Sequence, residues 1–310
     1  MTGAVGSRAE LERLNSADAD AWLRCARAGD FEAAWRVSDR ILARGRLRDH
    51  TAARHHQQVW DGSPLEGRRV LIRCYHGLGD TVQFIRFAPL VKRVAREVIV
   101  WAQPALLDLL AGVAGIDRLL PLHDGTPEAA WDVDVEVMEL PHVFRTTLAT
   151  VPVPPQLRAP ACALPGTRPR IGITWRAGSW NSHRSIPFGH LARLIDAVPA
   201  ASWFALQHEP RPEERHNRLH ELETRGIART ASLMRSLDLV ISIDSLPAHL
   251  AGALGRPVWT LLSVDADWRW LESRADSPWY PTMRLFRQCE SGRWDDVIDD
   301  IVAALLSRAG

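Results

Sequence analysis

Three stretches carry residue types able to do chemistry at useful spacing. In Asp244-Ser-Leu-Pro-Ala-His249-Leu-Ala-Gly252-Ala-Leu-Gly255, an acid, a hydroxyl and an imidazole follow an apolar run over 238–243, and a second apolar run over 257–262 comes after. Pro247 suits the first turn of a helix and Gly255 its end, so the pattern predicts strand, helix, strand. Asp244 or Ser245 would cap a helix whose first N–H groups face outward at the carboxyl end of a strand, a place suited to an anion. An ordinary capped connection reads the same way. In Tyr75-His76-Gly77-Leu78-Gly79-Asp80-Thr81, two glycines permit a sharp turn and Asp80 stands at a helix start. The third glycine of the dinucleotide fingerprint is missing and Asp80 would repel a pyrophosphate. A catalytic or hydroxyl-binding carboxylate fits better, with a plain N-cap as the alternative. In the loop 176–185, Arg176, His183 and Arg184 follow an apolar run and suit phosphate oxygens.

The elements that must position these residues alternate. Strands are expected over 69–75, 97–102, 118–121, 132–138, 170–175, 202–206 (with Gln207 at its end), 238–243, 257–262 and 283–287. Helices are expected from Asp80 to Arg96, over 104–111, near 140–148, after Pro187, over the charged run 212–223, over 247–255 and over 294–306, the last of which could cross back to the first half. Alternation of this kind implies parallel sheets with helices on both faces. A proline-rich run from Val151 to Pro169 reads as a stiff connector. Before the first strand, residues 18–45 read as two helices broken at Gly29-Asp30. They resemble one tetratricopeptide unit or a generic hairpin, and such a unit needs a neighbour to bury its face. The expected division is therefore a helical, tetratricopeptide-like segment over 1–60, a first Rossmann-like domain over 61–165 and a second over 166–310.

The composition sets bounds on function. The 310 residues carry a net charge of +1 with 24% charged and 46% hydrophobic residues, so no global field recruits nucleic acid or an acidic membrane. Cys25, Cys74, Cys162 and Cys289 form no metal-ligand spacing and read as reduced thiols. His55-His56 would point apart on either kind of element and read as surface residues. Without an apolar leader or a membrane-length apolar run, a cytoplasmic location is expected. Asp265-Ala-Asp267 matches a metal-binding D-x-D pattern that is common by chance and is set aside.

From about Trp60 onward the chain resembles the bacterial heptosyltransferases, glycosyltransferase family 9, and most closely those fused to tetratricopeptide repeats. Five blocks in one order carry the likeness: Gly77-Leu-Gly79-Asp80-Thr81-Val-Gln83-Phe84, Arg184-Ser-Ile-Pro187, the 244–255 stretch, Asp267-Trp-Arg-Trp270 and Ser277-Pro-Trp-Tyr-Pro281. The resemblance implies an α/β chain of GT-B type, two Rossmann-like domains facing a cleft. It implies transfer of a sugar from a nucleoside-diphosphate sugar to a glycan, glycolipid or protein hydroxyl, with inversion and with neither metal nor cofactor. By position, Asp80 would be the general base, with Gly77, Gly79, Thr81 and Gln83 on the acceptor side. Arg184, Ser185, Gln207, Asp244, Ser245, Leu246, Ala248 and His249 would hold the donor. The alternatives are an inactive scaffold that binds a protein partner through its helical N-terminus, and a sugar-nucleotide epimerase.

Overall fold

In the computed structural model, which describes residues 8–44, 54, 57, 59–178 and 181–307 (side chains from residue 16), the chain opens with a helical hairpin. Its helices are α1 (Arg8–Ala28) and α2 (Phe31–Ala43). Gly29 turns between them at φ 81°, and Asp30 caps α2 by accepting from the Ala33 N–H at 2.9 Å. His55, His56 and the loop pair Ser179-Trp180 lie outside the described residues.

A four-stranded sheet follows, built from β1 (Arg69–Arg73), β2 (Glu97–Ala102), β3 (Arg118–Pro121) and β4 (Val133–Glu136), parallel throughout in the order β3-β2-β1-β4. Between the strands run α3 (Leu78–Phe84), α4 (Ala88–Val94) and α5 (Leu107–Leu110), with α6 (Leu140–Val143) after them. The single helix expected from Asp80 to Arg96 is interrupted by a 3₁₀ turn at Ile85–Phe87. Pro89 explains the break, because it lacks an N–H and its ring crowds the preceding turn.

The second sheet has six parallel strands in the order β10-β9-β8-β5-β6-β7. These are β5 (Arg170–Thr174), β6 (Ser202–Ala205), β7 (Leu219–Glu221), β8 (Leu239–Ile243), β9 (Val258–Leu262) and β10 (Met283–Arg287), with α7 (Phe188–Ala197), α8 (Ile227–Arg235), α9 (Leu246–Ala253) and α10 (Asp295–Ser307). Every residue of β8 and β9 is buried, as expected of central strands in a parallel sheet covered on both faces. The charged run expected to be a helix forms turns and the short strand β7. Leu219 is its one well-buried apolar residue, so a helix there would have no face to bury.

One hydrophobic core runs from Val70, Ile72 and Phe84 of the first half to Val240, Leu250 and Trp279 of the second, while another lies under α7 and α10. The last helix stays on the second half. Val297, Ile298 and Ile301 pack with Leu191, Leu194 and Trp203, which leaves it no apolar face to carry elsewhere. The hairpin spends its own apolar face on this chain. Trp22 meets Trp268 edge-on at 5.3 Å, the Trp35 indole N–H donates to the Thr146 carbonyl at 2.6 Å, and Asp39 pairs with His142 and Arg145. The face that a stacked repeat would cover is thus covered from within. Among the described residues no helix is long and apolar enough to cross a membrane.

Candidate active site

Parallel strands in a sheet all end at one edge. Gly77 and Asp80 follow β1 of the first sheet, Arg184 and Asp244 follow β5 and β8 of the second, and the two sets of loops meet. Gly77 is the N-cap of α3, and its N–H donates to Asp80 Oδ2 at 2.9 Å. Asp80 Oδ1 lies 2.7 Å from Arg269 Nη1, contributed by a 3₁₀ turn of the second half (Trp268–Trp270). Arg269 also donates to Gln83 Oε1 at 2.8 Å and, through Nε, to Asp267 Oδ1 at 2.8 Å. One buried guanidinium therefore ties the Asp80 helix to the Asp267-Trp-Arg-Trp270 turn. Burial disfavours its charge, but Asp267, Asp80 and Asp244 outweigh burial and hold the proton more firmly than usual. Phe84 and Trp268 add aromatic faces near the cation, at 5.6 and 6.0 Å.

Asp244, at the end of β8, belongs to the same charge cluster. Its backbone carbonyl accepts from Arg184 Nη1 at 2.8 Å, and its carboxylate lies 3.7 Å from the same nitrogen. Burial raises its pKa against the pull of Arg269 and Arg184. His249, four-fifths of a turn into α9, is clamped: its ring stacks on Trp270 at 5.3 Å and its Nδ1 is 3.2 Å from the Tyr280 hydroxyl. Burial, with Arg269, Arg86 and Arg184 nearby, pushes its pKa well below the ordinary value, so the imidazole is neutral. Burial also pushes the Tyr280 phenol up to about 12.

α3 and α9 cross at Gly79. A Cβ placed there would stand 2.8 Å from His249 Cδ2, and the ring cannot retreat from Trp270 and Tyr280. Gly79→Ala should cost about 1–3 kcal/mol, the usual penalty for overpacking a tight contact. Thermal unfolding checks this, and an unchanged midpoint would show that the two helices are not held so closely.

Beside this junction opens a cleft of 770 Å³. Thr174, Arg176, Gln207, Ser245 and Leu246 line it from the second half, and Leu78, Pro104, Ala105 and Asp108 from the first. Gln207 accepts from the Arg176 N–H at 2.9 Å and Ser185 Oγ from the Ala177 N–H at 3.0 Å, so these two side chains shape the loop after β5. Thr174 Oγ1 is buried with no hydrogen-bond partner.

Several expectations need correction. Ser245 is the N-cap of α9, but its hydroxyl bonds back to the Ile243 carbonyl, so neither it nor Asp244 gives α9 a side-chain cap. Ala248 and His249 are buried and are not wall residues of the cleft, and Thr81 and Gln83 are buried too. Thr81 is engaged with Gln103 at 3.0 Å. In this structure all four are packed where α3 meets α9, with Gln83 accepting from Arg269. Arg269 went unassigned in the sequence; its flanking tryptophans were the available signal, since a charge between two large apolar residues tends to be drawn into the core. Asp267 of the D-x-D pattern is occupied by Arg269.

With this geometry in view, the chain can be set beside known proteins. No protein-family model matches it. It is similar to Protein FlbA of Caulobacter vibrioides, at 25% identity over 79% of this chain and 48% of that protein. The chain thus spans about half the length of this curated relative. Among solved structures, the glycosyl transferase family 9 protein of Veillonella parvula superposes with a TM-score of 0.59, at 12% identity over 79% of this chain and 98% of the other. The chain has the fold of these glycosyltransferases. The ADP-heptose heptosyltransferase II of E. coli gives 0.56, at 15% identity over 78% of this chain and all of that one. At such identities the likeness speaks for the α/β architecture of two parallel sheets facing a cleft. What the cleft holds must be argued from its residues.

Proposed function

We propose that this chain is a glycosyltransferase that moves a sugar from a nucleoside-diphosphate sugar to an acceptor hydroxyl. The cleft between the two halves carries the reading: it is large enough for a nucleotide sugar and is set where strands end. In glycosyl transfer, negative charge builds on the leaving diphosphate while the acceptor oxygen loses a proton. Arg176 on the wall, Arg184 next to the Asp244 turn and the start of α9 at Ser245-Leu246 supply positive potential for the first event. Thr174 Oγ1 adds a hydroxyl in need of a partner. The proposal includes a metal-independent, inverting reaction. It also includes an adenine nucleotide, supported by the ADP-heptose named for the E. coli heptosyltransferase that shares the fold.

The test is direct. ADP should raise the melting temperature in a concentration-dependent way, because a ligand of the folded state alone stabilises it by mass action. Gly178→Trp, at an exposed wall position where an added Cβ meets nothing within 4 Å, should remove that response and leave the ligand-free midpoint within about 2 °C, since surface substitutions rarely cost more than ~0.5 kcal/mol. A variant that still answers to ADP as the parent does would place the nucleotide elsewhere.

A further inference from the structure

Asp80 spends its carboxylate on joining its own helix start to the second half. Its Oδ2 takes the Gly77 N–H and its Oδ1 the Arg269 guanidinium, so both oxygens are engaged. The residue just before that glycine is His76, at the carboxyl end of β1 and two positions from Leu78 on the cleft wall. Across the β1–β4 pairing, Arg73 is in register with Glu136, and the Glu136 carboxylate reaches forward along β1 to His76. Glu136 Oε1 lies 3.0 Å from His76 Nδ1, though the N–H is not well aligned with it.

Glu136 is only 1% exposed and is fixed from the backbone. Oε1 accepts from the Tyr75 N–H at 3.2 Å and Oε2 from the Met138 N–H at 2.7 Å. An anion so buried requires a positive or donating neighbour, and Nδ1 is the ring nitrogen beside it. A proton held on Nδ1 leaves the Nε2 lone pair free. The ring is 27% exposed, and among the described residues no protein group bonds Nε2. A carboxylate that orients an imidazole with one open nitrogen is the arrangement of a general base.

We propose that His76, oriented by Glu136, is the base that takes the acceptor's proton, an assignment that rests on the glycosyltransferase reading above. In the step, the acceptor oxygen bonds to the anomeric carbon and its proton passes to Nε2. The bond from that carbon to the phosphate oxygen breaks, and the diphosphate leaves with the electron pair. Water then removes the proton from the imidazolium.

The charged groups facing His76 are Glu136 from β4, Asp80 from α3 and Arg269 from the Trp268–Trp270 turn. Burial lowers the pKa, but Glu136 and Asp80 outweigh burial and Arg269, and the net direction is upward. Only the neutral ring accepts a proton, so the rate should rise with pH through the His76 pKa. Glu136→Gln should move that limb to lower pH.

Two readouts test the proposal. Imidazole NMR titration of the full chain should place His76 above 6.5 in the parent and lower in Glu136→Gln. Hydrolysis of ADP-heptose, with water as acceptor, should fall about 10²–10⁴-fold in His76→Gln. The ADP-induced melting shift should be kept, and added imidazole should restore part of the rate in His76→Ala. A His76→Gln rate within threefold of the parent, in protein that turns over the donor, overturns the base while sparing the transferase reading. Parent protein that neither responds to ADP nor hydrolyses the donor counts against the transferase reading itself. A His76 pKa indifferent to Glu136→Gln overturns the dyad whatever the activity.

Discussion

Replacing Arg269 with methionine should lower stability by about 3–5 kcal/mol, the usual cost of taking one partner from a buried ionic cluster. The melting temperature should fall on the order of 10 °C for a chain this size. The loss has a particular shape. Asp80 and Asp267 lose their ion-pair partner, Gln83 loses its donor, and Asp244 loses a neighbouring positive charge that opposes the effect of its burial. Without the guanidinium Asp244, whose pKa burial already raises, loses the neighbour that opposes that rise, so its folded-state pKa must climb further above the unfolded value. A carboxylate shifted that way stabilises below the unfolded pKa, and its contribution is lost as pH rises through the folded pKa. Arg269→Met should therefore be closest to the parent near pH 4–5 and weakest near pH 8. Thermal unfolding across that range reads it. Arg269→Lys should recover part of the deficit, since an ammonium keeps the charge but not the planar fork that spans Asp80, Gln83 and Asp267. A methionine variant with the parent's midpoint at pH 8 would mean the cluster contributes nothing to joining the halves.

That hub shows how far pattern reading reaches. The strand-helix-strand unit at 239–262 and the strand at 283–287 were legible because apolar runs bounded by Pro and Gly leave few alternatives. The loops at the carboxyl ends of β5 and β8 could be grouped from sequence because one parallel sheet gathers such ends on one edge, whereas the loop after β1 comes from the other sheet. What could not be read was depth. His249 and Ala248 carry the same sequence signature whether they face a ligand or a neighbouring helix, and only the crossing of α3 and α9 at Gly79 decides it. The 212–223 run failed for a related reason: charge density alone does not tell a solvated helix from turns whose side chains are engaged elsewhere. Glu214 is bound to Arg176, 38 residues away in sequence. His76 drew no role from sequence because its partner, Glu136, comes from a strand sixty residues later.

The second large effect is expected at Trp268. Its ring meets Trp22 and Phe31 of the hairpin, Phe84 of α3 and Trp279 of the second half, with centroids between 5.3 and 6.3 Å. Trp268→Ala should cost about 3–5 kcal/mol, as large-to-small changes of buried aromatics do. Because three segments converge on one ring, the damage should not be uniform. The hairpin keeps Asp39 with His142 and Arg145 on the first half, but on the second it is left with Phe31 against Trp279 as its aromatic hold. Native-state hydrogen exchange should then show α1 opening at lower free energy than β8 or β9, which remain buried on both faces. A cycle with Trp22→Ala should give a coupling of about 0.5–1.5 kcal/mol, the range for directly contacting aromatic pairs. Strict additivity, with α1 protected as before, would mean that the hairpin is held by its contacts to the first half alone. In that case Arg269, next in sequence to Trp268, would have to keep its place beside Asp80 without help from the hairpin.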